Sequence, residues 1–245
     1  MAISAPILVF HHMPDEHLGY LFDRLRDNGI DYRVFRVHEG EPIPDLEAYS
    51  ALWVLGGSMQ VWEEDEHPWL LAEKDAVRRA VLALDMPYFG VCFGHQLLAS
   101  ALGGVVGLAE TAEVGVVRVD LNEEGKSHAL LETLPPNMNL QQWHSAEVKD
   151  VPTELTVLAH SEACRIHAIA YGDRVLGMQS HIEVSMASID EWVSIPAARA
   201  ELERRLGPDG PAMFQADARC HMPEINKAAS QLYEKLVAAI DRAEP

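Results

Sequence analysis

The segment from Met86 to Gly104 limits the possible folds more than any other part of the chain. It reads MPYFGVCFGHQLLASALGG, in which an apolar run precedes a cysteine with glycines two residues before and after it, and a helical pattern follows. A G-x-C-x-G sequence between a strand and a helix is typical of a nucleophile elbow, a tight turn that exposes a reactive side chain. The amino end of the following helix favours the thiolate form. We therefore predict that Cys92 is a nucleophile rather than a buried core cysteine.

The first half of the chain alternates predicted strands with predicted helices. The strands are Ile7–His11, Tyr32–Val37, Ala51–Leu55 and Pro87–Val91, and the helices are Glu16–Asn28, His67–Leu84 and Gly94–Leu102. Apolar residues recur at helical spacing in these helices and form short continuous runs in the strands. This alternation predicts an α/β fold with an open, mostly parallel sheet and helices on both faces.

The second half changes from short strands to helices. The strand candidates are Glu113–Leu121, Leu140–His144, Glu154–His160, Arg165–Tyr171 and Val175–Gln179, and they predict additional antiparallel strands. Two helices are predicted after them, Ala187–Leu206 and Pro223–Arg242, with a break at Gly207-Pro208. No linker composition separates these parts. We therefore expect a single domain over residues 1–245, with residues 184–245 as a helical C-terminal extension.

A histidine and a glutamate two residues apart are candidates for the partners of Cys92. His181 and Glu183 directly follow the last predicted strand. In an extended segment, residues i and i+2 project to the same face, so the carboxylate can orient the imidazole and stabilise its charged form. By itself such a pair is more often a solvated surface feature. Together with the elbow it predicts a Cys92–His181–Glu183 triad.

A thiolate that attacks an amide also needs donors for the oxyanion of the tetrahedral intermediate. The backbone amide after the nucleophile, that of Phe93, is one candidate. Gly57, which follows the third predicted strand in Leu55-Gly56-Gly57-Ser58, is the second. Without the elbow, the two glycines would be interpreted as a turn.

Charge and cysteine content exclude several classes of function. The formal net charge is −19, from 19 Lys and Arg against 38 Asp and Glu. Such a surface repels nucleic acids and anionic membranes, so we expect neither as a partner. No apolar run of about 18 residues and no basic signal-like amino terminus occurs, which favours a cytoplasmic protein. Cys164 and Cys220 form no CxxC pair with Cys92 and are expected to be inert.

Several other histidines are weaker candidates. His11, His12, Asp15, Glu16 and His17 cluster after the first predicted strand, without a recognised metal-ligand spacing. We expect no metal there. The carboxyl ends of parallel strands are where ligands bind in open α/β sheets, so this loop is expected near the substrate. His95 lies in the first turn after Cys92 and is assigned a structural role.

Four blocks of the chain, in this order, resemble the class I glutamine amidotransferases, especially stand-alone relatives of the GMP synthase amidotransferase domain. They are Leu55–Ser58, Gly90–Gln96, Trp143–Ser145 and Gln179–Glu183. The resemblance implies a flavodoxin-like fold, with Gln96 at the amino-acid end of the substrate. It also implies that the backbone around His144 and Ser145 meets the substrate carboxylate. Ile182 departs from the family pattern, which usually has proline there.

The resemblance implies hydrolysis of the glutamine side-chain amide through a γ-glutamyl thioester. No cofactor and no metal are expected. The ammonia is released or passed to a partner, which would be a synthetase or acceptor subunit, because the chain contains no SGG-x-DS phosphate loop. Two alternatives remain open at this point. The chain could be a γ-glutamyl hydrolase or peptidase acting on γ-glutamyl amines or peptides, or a non-catalytic regulatory subunit.

Overall fold

A computed structural model describes residues 3–12 and 19–243 of the chain. The strands are β1 Ile7–His11, β2 Tyr32–Arg36, β3 Ala51–Val54, β4 Tyr88–Val91, β5 Val105–Leu121, β6 Asn137–Asp150, β7 Thr156–His160, β8 Ala168–Tyr171 and β9 Val175–Met178. The helices are α1 Tyr20–Asp27, α2 Trp69–Arg78, α3 Phe93–Ala101, α4 Glu123–Ser127, α5 Met186–Ser194, α6 Pro196–Leu206 and α7 Gly210–Asp241. A π-helical turn, Arg79–Ala83, extends α2.

The described strands form one sheet in the order β2-β1-β3-β4-β9-β8-β7-β5-β6. Strands β2, β1, β3, β4 and β9 run parallel to one another. From β9 onward, through β8, β7, β5 and β6, every neighbouring pair is antiparallel. This confirms the predicted α/β fold, with a parallel core and an antiparallel extension. The carboxyl ends of β3, β4 and β9 meet at one edge, where the predicted site residues follow each strand.

Helices cover both faces of the parallel core because its strands are apolar on both faces. In β1, Ile7 and Val9 belong to the layer that contains α1, α5 and α7, whereas Leu8 and Phe10 belong to the layer that contains α2 and α3. All four side chains are completely buried. Such continuous apolar runs are expected of parallel strands that lie between two helical layers.

The antiparallel extension is longer than the sequence indicated. Strand β5 begins at Val105 rather than Glu113, and β6 covers Asn137–Asp150 rather than Leu140–His144. Most residues of β5 are half-buried or exposed, so their apolar and polar side chains do not alternate sharply. The pairing of the two strands also shifts register between Leu108 and Glu113. Both features weaken the period-2 signal from which strands are predicted.

The helical extension differs from the prediction at two points. The helix predicted over Ala187–Leu206 is divided between α5 and α6, because the residue before Pro196 adopts an extended conformation (φ −72°, ψ 120°). Helix α7 begins at Gly210, so the predicted start at Pro223 is wrong; this proline lies inside the helix. Among the described residues, no helix is long and apolar enough to cross a membrane.

Candidate active site

Cys92 connects β4 to α3 in a strained backbone conformation. Its φ of 51° and ψ of −102° are unusual for a residue with a side chain. The Cys92 N–H donates to the Met178 carbonyl oxygen at 2.8 Å, which continues the pairing of β4 with β9. The side chain is largely buried, with 6% of the residue exposed. The turn therefore has the geometry expected of a nucleophile elbow.

The glycines on either side of Cys92 are required by close backbone packing. A Cβ atom at Gly94 would lie 2.2 Å from the carbonyl oxygen of Val54 in β3. One at Gly90 would lie 2.7 Å from backbone atoms of Gly94. Real Cβ atoms do not approach backbone so closely, so only glycine lets the start of α3 rest against β3 and β4. This accounts physically for the G-x-C-x-G pattern.

His181 and Glu183 form the hydrogen bond that the sequence predicted. The imidazole Nδ1 donates to the Glu183 Oε1 at 2.7 Å, and both residues are buried. The His181 N–H donates to the Gln141 carbonyl oxygen at 2.8 Å, which holds the segment against β6. The Trp192 ring contacts the imidazole edge-on, with ring centroids 4.9 Å apart. The orientation of the imidazole is therefore fixed on several sides.

The surroundings of His181 favour the charged imidazolium. Burial by itself would lower the pKa of His181, because it penalises the charged form. The charges of Glu183 and of the Cys92 thiolate, together with hydrogen bonds to both side chains, outweigh that penalty and raise the pKa well above its ordinary value. The site thus favours a protonated imidazole beside Cys92.

A cavity of about 320 Å³ brings the predicted site residues together. All of the residues proposed from the sequence line it except Glu183, which lies behind His181: Cys92, His181, Phe93, Gly57, Gln96, His144 and Ser145. The cavity is lined mainly by apolar groups with a few convergent polar ones, which is typical of small-molecule sites.

Gln96 is connected to the nucleophile through a second glutamine. Its Nε2 donates to the Ala146 carbonyl oxygen at 3.0 Å and to the Gln179 Oε1 at 3.1 Å. The Gln179 Nε2 in turn lies 3.5 Å from the Cys92 Sγ. In the sequence, Gln179 belongs to the block Gln179–Glu183, but nothing there indicates its role. A glutamine directly after a buried strand could have drawn attention, since buried amides need partners.

The side chain of His144 is committed to a buried carboxylate. Its Nε2 lies 2.9 Å from the Glu113 Oε2, and its Nδ1 donates to the Ala146 carbonyl oxygen at 3.0 Å. Glu113 also accepts from the Ser161 hydroxyl at 2.6 Å. Burial tends to raise the pKa of Glu113, but hydrogen bonds from His144 and Ser161, together with the nearby His167, hold it far below its ordinary value. We therefore assign the predicted contact with the substrate carboxylate to the backbone of this segment and to Ser145, not to the His144 side chain.

Two groups of described residues have a spacing that could hold a metal ion. Glu113, His144 and His167 each offer one ligand atom, and these atoms lie within 4.8 Å of one another, as do those of Glu63, Glu66 and His67. In the first group, the Glu113 carboxylate is already hydrogen-bonded to the His144 Nε2 and to the Ser161 hydroxyl. The second is a loop cluster that includes an exposed carboxylate. Neither arrangement requires a metal to explain it.

The remaining cysteines and His95 lie in environments unlike that of Cys92. His95 is completely buried in α3, and burial together with the charge of His167 lowers its pKa to about 3. It is therefore neutral near pH 7. Cys164 is buried, and burial raises the pKa of its thiol well above the usual range. Cys220 is exposed on α7.

Helices of the C-terminal extension form one wall of the cavity. Trp192 of α5, Ile195, and Ala197, Ala198, Glu201 and Arg205 of α6 line it. The sequence predicted helices here but not their position, because helical periodicity does not indicate what lies opposite a helix. Helix α6 is rich in charged residues, and its Leu202 is buried.

The loop after β1 is described only in part. His11 and His12 are buried, whereas the predicted cluster members Asp15, Glu16 and His17 lie outside the described residues, as does the start of the predicted helix Glu16–Asn28. His12 does not line the cavity but contacts the glycines of the predicted oxyanion loop.

Comparison with known sequences identifies a family. A family model described as glutamine amidotransferase class-I matches residues 15–193. The glutamine amidotransferase-like protein YfeJ of Salmonella typhimurium is 30% identical over 73% of this chain and 76% of its own length. A subunit of the glutamine-hydrolyzing GMP synthase of Sulfurisphaera tokodaii is 34% identical over 59% of this chain and 72% of its own length.

Comparison with solved structures extends the similarity to the C-terminal helices. A glutamine amidotransferase from Thermotoga maritima superposes with a TM-score of 0.85 at 26% identity, covering 95% of this chain and 98% of the other. A glutamine amidotransferase from Methylobacillus flagellatus gives 0.83 at 27% identity, covering 96% and 94%. Helices α6 and α7 lie outside the segment that the family model matches but within the part shared with chains of similar length.

Proposed function

The chain belongs to the class I glutamine amidotransferases, and we propose that it hydrolyses the side-chain amide of glutamine or a related γ-glutamyl compound through a thioester on Cys92. The observation that carries the proposal is the cavity in which Cys92 meets His181, whose imidazole is held by Glu183 at 2.7 Å. A regulatory subunit without catalysis would not need a cysteine on a strained elbow beside a histidine whose pKa is raised.

The first chemical step follows from the charge state of this pair. The Cys92 thiolate attacks the γ-carbonyl carbon, and an S–C bond forms while the carbonyl electrons move to the oxygen. When the tetrahedral intermediate collapses, the C–N bond breaks, and the His181 imidazolium gives its proton to the leaving nitrogen. Glu183 stabilises the imidazolium and keeps its Nε2 directed at the reacting atoms. Ammonia or an amine leaves, and a γ-glutamyl thioester remains.

The second step regenerates the enzyme with water. The neutral His181 imidazole removes a proton from a water molecule, whose oxygen attacks the thioester carbonyl. The C–S bond then breaks, Cys92 leaves as a thiolate, and the γ-carboxylic acid that forms releases its proton to solvent to give the γ-carboxylate. The imidazolium is formed again, so the pair returns to its starting state.

The proposed oxyanion donors are the backbone amides of Phe93 and Gly57, which both line the cavity. Phe93 is the first residue of α3, so its N–H is one of those that have no partner within the helix. A fixed donor at such a position lowers the barrier by roughly 3–4 kcal/mol.

The amino-acid end of the substrate is assigned to Gln96 and to the backbone around Ser145. The Gln96 amide nitrogen already donates to Ala146 and Gln179, which fixes its orientation and leaves its oxygen as the acceptor for a substrate ammonium. Ser145 lies beside it in the wall of the cavity. We expect analogues without the α-carboxylate or with a blocked α-amine to be poor substrates.

A second candidate is hydrolysis of γ-glutamyl amines or peptides, and a specific observation favours it. Apolar side chains extend the wall of the cavity beyond the triad, among them Trp192 of α5, Ile195 and Ala198 of α6. A larger leaving group could pack against this wall. The relatives named as GMP synthase subunits favour the other outcome, transfer of ammonia to a synthetase partner.

Steady-state assays with the purified chain decide between these two functions. Glutamine, γ-glutamyl alkylamides and a γ-glutamyl dipeptide are compared, with and without a cell extract from which the chain has been removed. We expect turnover of at least one substrate without the extract, on the order of 1 per second. Inactivity on all of them, reversed by the extract, would show a partner-dependent amidotransferase. Inactivity under both conditions would refute the proposed function.

A further inference from the structure

His12 lies directly behind the predicted oxyanion loop. Its Nδ1 is 2.9 Å from the Gly56 carbonyl oxygen. A Cβ atom at Gly57 would lie 3.2 Å from the His12 Cβ and 2.6 Å from the Met59 Sδ. A side chain at Gly57 would therefore disturb the packing between the loop and His12.

The hydrogen bond from His12 sets the direction in which the Gly57 amide points. In a trans peptide the carbonyl of one residue and the N–H of the next point in opposite directions. The Gly56 oxygen faces His12, so the Gly57 N–H faces away from it. Gly57 lines the cavity and His12 does not, which directs this N–H toward the cavity. If the same peptide rotated by half a turn, it would present a carbonyl oxygen to the oxyanion instead.

The same histidine also contacts the residue that carries the second proposed donor. The His12 ring meets the Phe93 ring edge-on, with centroids 4.8 Å apart. On another side it stacks on Trp69, with centroids 5.8 Å apart and planes inclined by 22°. His12 is thus packed between the two segments whose amides are assigned to the oxyanion.

Glu73 of α2 holds the other nitrogen of the His12 ring. Its Oε1 lies 2.7 Å from the His12 Nε2, and both side chains are completely buried. Nδ1 faces a carbonyl oxygen, which can only accept, so Nδ1 carries a proton. This holds whether Nε2 donates to a carboxylate or accepts from a carboxyl group. Burying such a pair is costly compared with apolar side chains of the same volume, so stability alone does not explain it.

We propose that His12, oriented by Glu73, is a positioning residue that fixes the Gly56–Gly57 peptide and so forms the oxyanion hole in the isolated chain. The proposal rests on the proposed function for its catalytic consequence, but the peptide geometry can be tested without it. It adds a role for two residues outside the triad and outside the substrate pocket.

Two double variants test the hydrogen-bond donor at position 12, which one of them lacks and the other keeps. His12→Phe with Glu73→Leu replaces the buried pair by apolar side chains of similar size, so folding is retained. His12→Asn with Glu73→Leu keeps an N–H donor near the position of Nδ1. We expect kcat to fall about 100-fold or more in the first, with KM within a few-fold of wild type, because an oxyanion donor acts in the transition state. The second should recover most of the lost kcat.

Alkylation of Cys92 by iodoacetamide separates positioning from general damage. This reaction displaces iodide at a saturated carbon and forms no oxyanion, so its rate should stay within a few-fold of wild type in both double variants. A matched control is His128→Phe. The His128 Nε2 also holds a glycine carbonyl oxygen, that of Gly172 at 3.0 Å, but neither residue lines the cavity. Loss of this hydrogen bond in His128→Phe should leave kcat unchanged.

Crystal structures of the wild type and the two double variants complete the test. We expect the Gly56 carbonyl to face position 12 in the wild type and in the Asn variant, and to be rotated or disordered in the Phe variant. Retention of the wild-type peptide orientation in the Phe variant would overturn the inference, as would wild-type kcat in that variant. If the wild type hydrolyses no γ-glutamyl amide, the proposed function fails, and the peptide orientation alone still decides the inference.

Discussion

At the residue scale, the charge of Glu183 determines how far the imidazolium of His181 persists as the pH rises. Burial opposes the charged ring, and Glu183 is the foremost of the groups that raise the His181 pKa. In Glu183→Gln the burial penalty remains while this charge is lost, so the His181 pKa falls. The thiolate–imidazolium pair then loses its proton at a lower pH. We expect the alkaline limb of the kcat/KM profile to move to lower pH in this variant.

The matched comparison is with His181→Ala, which removes the proton donor itself. Glu183→Gln keeps the shape of the orienting group and should retain more activity at its optimum than His181→Ala. Profiles of kcat/KM from about pH 5 to 10 for the wild type and both variants measure this. An alkaline limb that does not move in Glu183→Gln would show that His181 is not the group that titrates.

Residues whose role depends on local spacing could be predicted, whereas those that act through distant contacts could not. The flanking glycines predict an elbow at Cys92. The spacing of two residues predicts the hydrogen bond between His181 and Glu183. His12 and Glu73 are 61 residues apart in sequence and meet only because β1 and α2 adjoin the same edge of the sheet. Nothing in the sequence around either residue indicates that contact.

At the element scale, the elbow depends on close packing of α3 against β3. Gly94→Ala would place a methyl group 2.2 Å from the Val54 carbonyl oxygen, which is part of the backbone and cannot move aside. The start of α3 must then shift, and with it Cys92. We expect the free energy of unfolding to fall by about 2 kcal/mol or more, measured by urea denaturation. Turnover should be lost even where the variant is folded.

Gly107→Ala is the control for that substitution. This glycine lies in β5, and a Cβ atom there would meet only the flexible Lys149 side chain at 3.7 Å. Its free energy of unfolding should stay within about 0.5 kcal/mol of wild type, with activity unchanged. If Gly94→Ala behaved like Gly107→Ala, the physical explanation of the glycine pattern would be wrong.

Helix α6 is expected to control which leaving groups are accepted. Ala198 lines the cavity, and Ala198→Phe would fill part of the wall that we assign to the leaving group. We expect kcat/KM for a γ-glutamyl dipeptide to fall about tenfold or more, while that for glutamine stays within a few-fold. Ala200→Phe, at an exposed position of the same helix, should change neither. If Ala198→Phe lowered kcat/KM equally for the dipeptide and for glutamine, α6 would not contact the leaving group.

The elements of the parallel core were predictable because each is apolar over a short, well-bounded run. Strand β1 has the predicted bounds, Ile7–His11. The extension was not predictable to the same degree, since β5 is mostly half-exposed and α7 begins in a Gly- and Pro-rich segment, residues 207–211, that also resembles a turn. Pro223 is a plausible helix start in the sequence because proline favours the first turn. In the structure, packing of the long helix on the sheet outweighs the hydrogen bond that this proline cannot make.

At the scale of the whole molecule, the site is assembled from segments spread over most of the chain. Gly57, Cys92, Ser145, His181 and Ala198 all line one cavity, although they come from different strand ends, loops and helices. The C-terminal helices complete this cavity within one chain. We propose that such a wall supplies what hydrolysis requires without another protein, and we therefore expect the isolated protein to be active.

The most direct test of the proposed cysteine mechanism is mass spectrometry of the intact protein after treatment with a glutamine-like affinity label, followed by peptide mapping. We predict a single adduct, located at Cys92, and loss of turnover in step with labelling. Cys92→Ala should take up no label and lose several orders of magnitude in turnover, whereas Cys164→Ala and Cys220→Ala should stay within a few-fold of wild type. Labelling chiefly at Cys164 or Cys220, or an active Cys92→Ala protein, would contradict the mechanism.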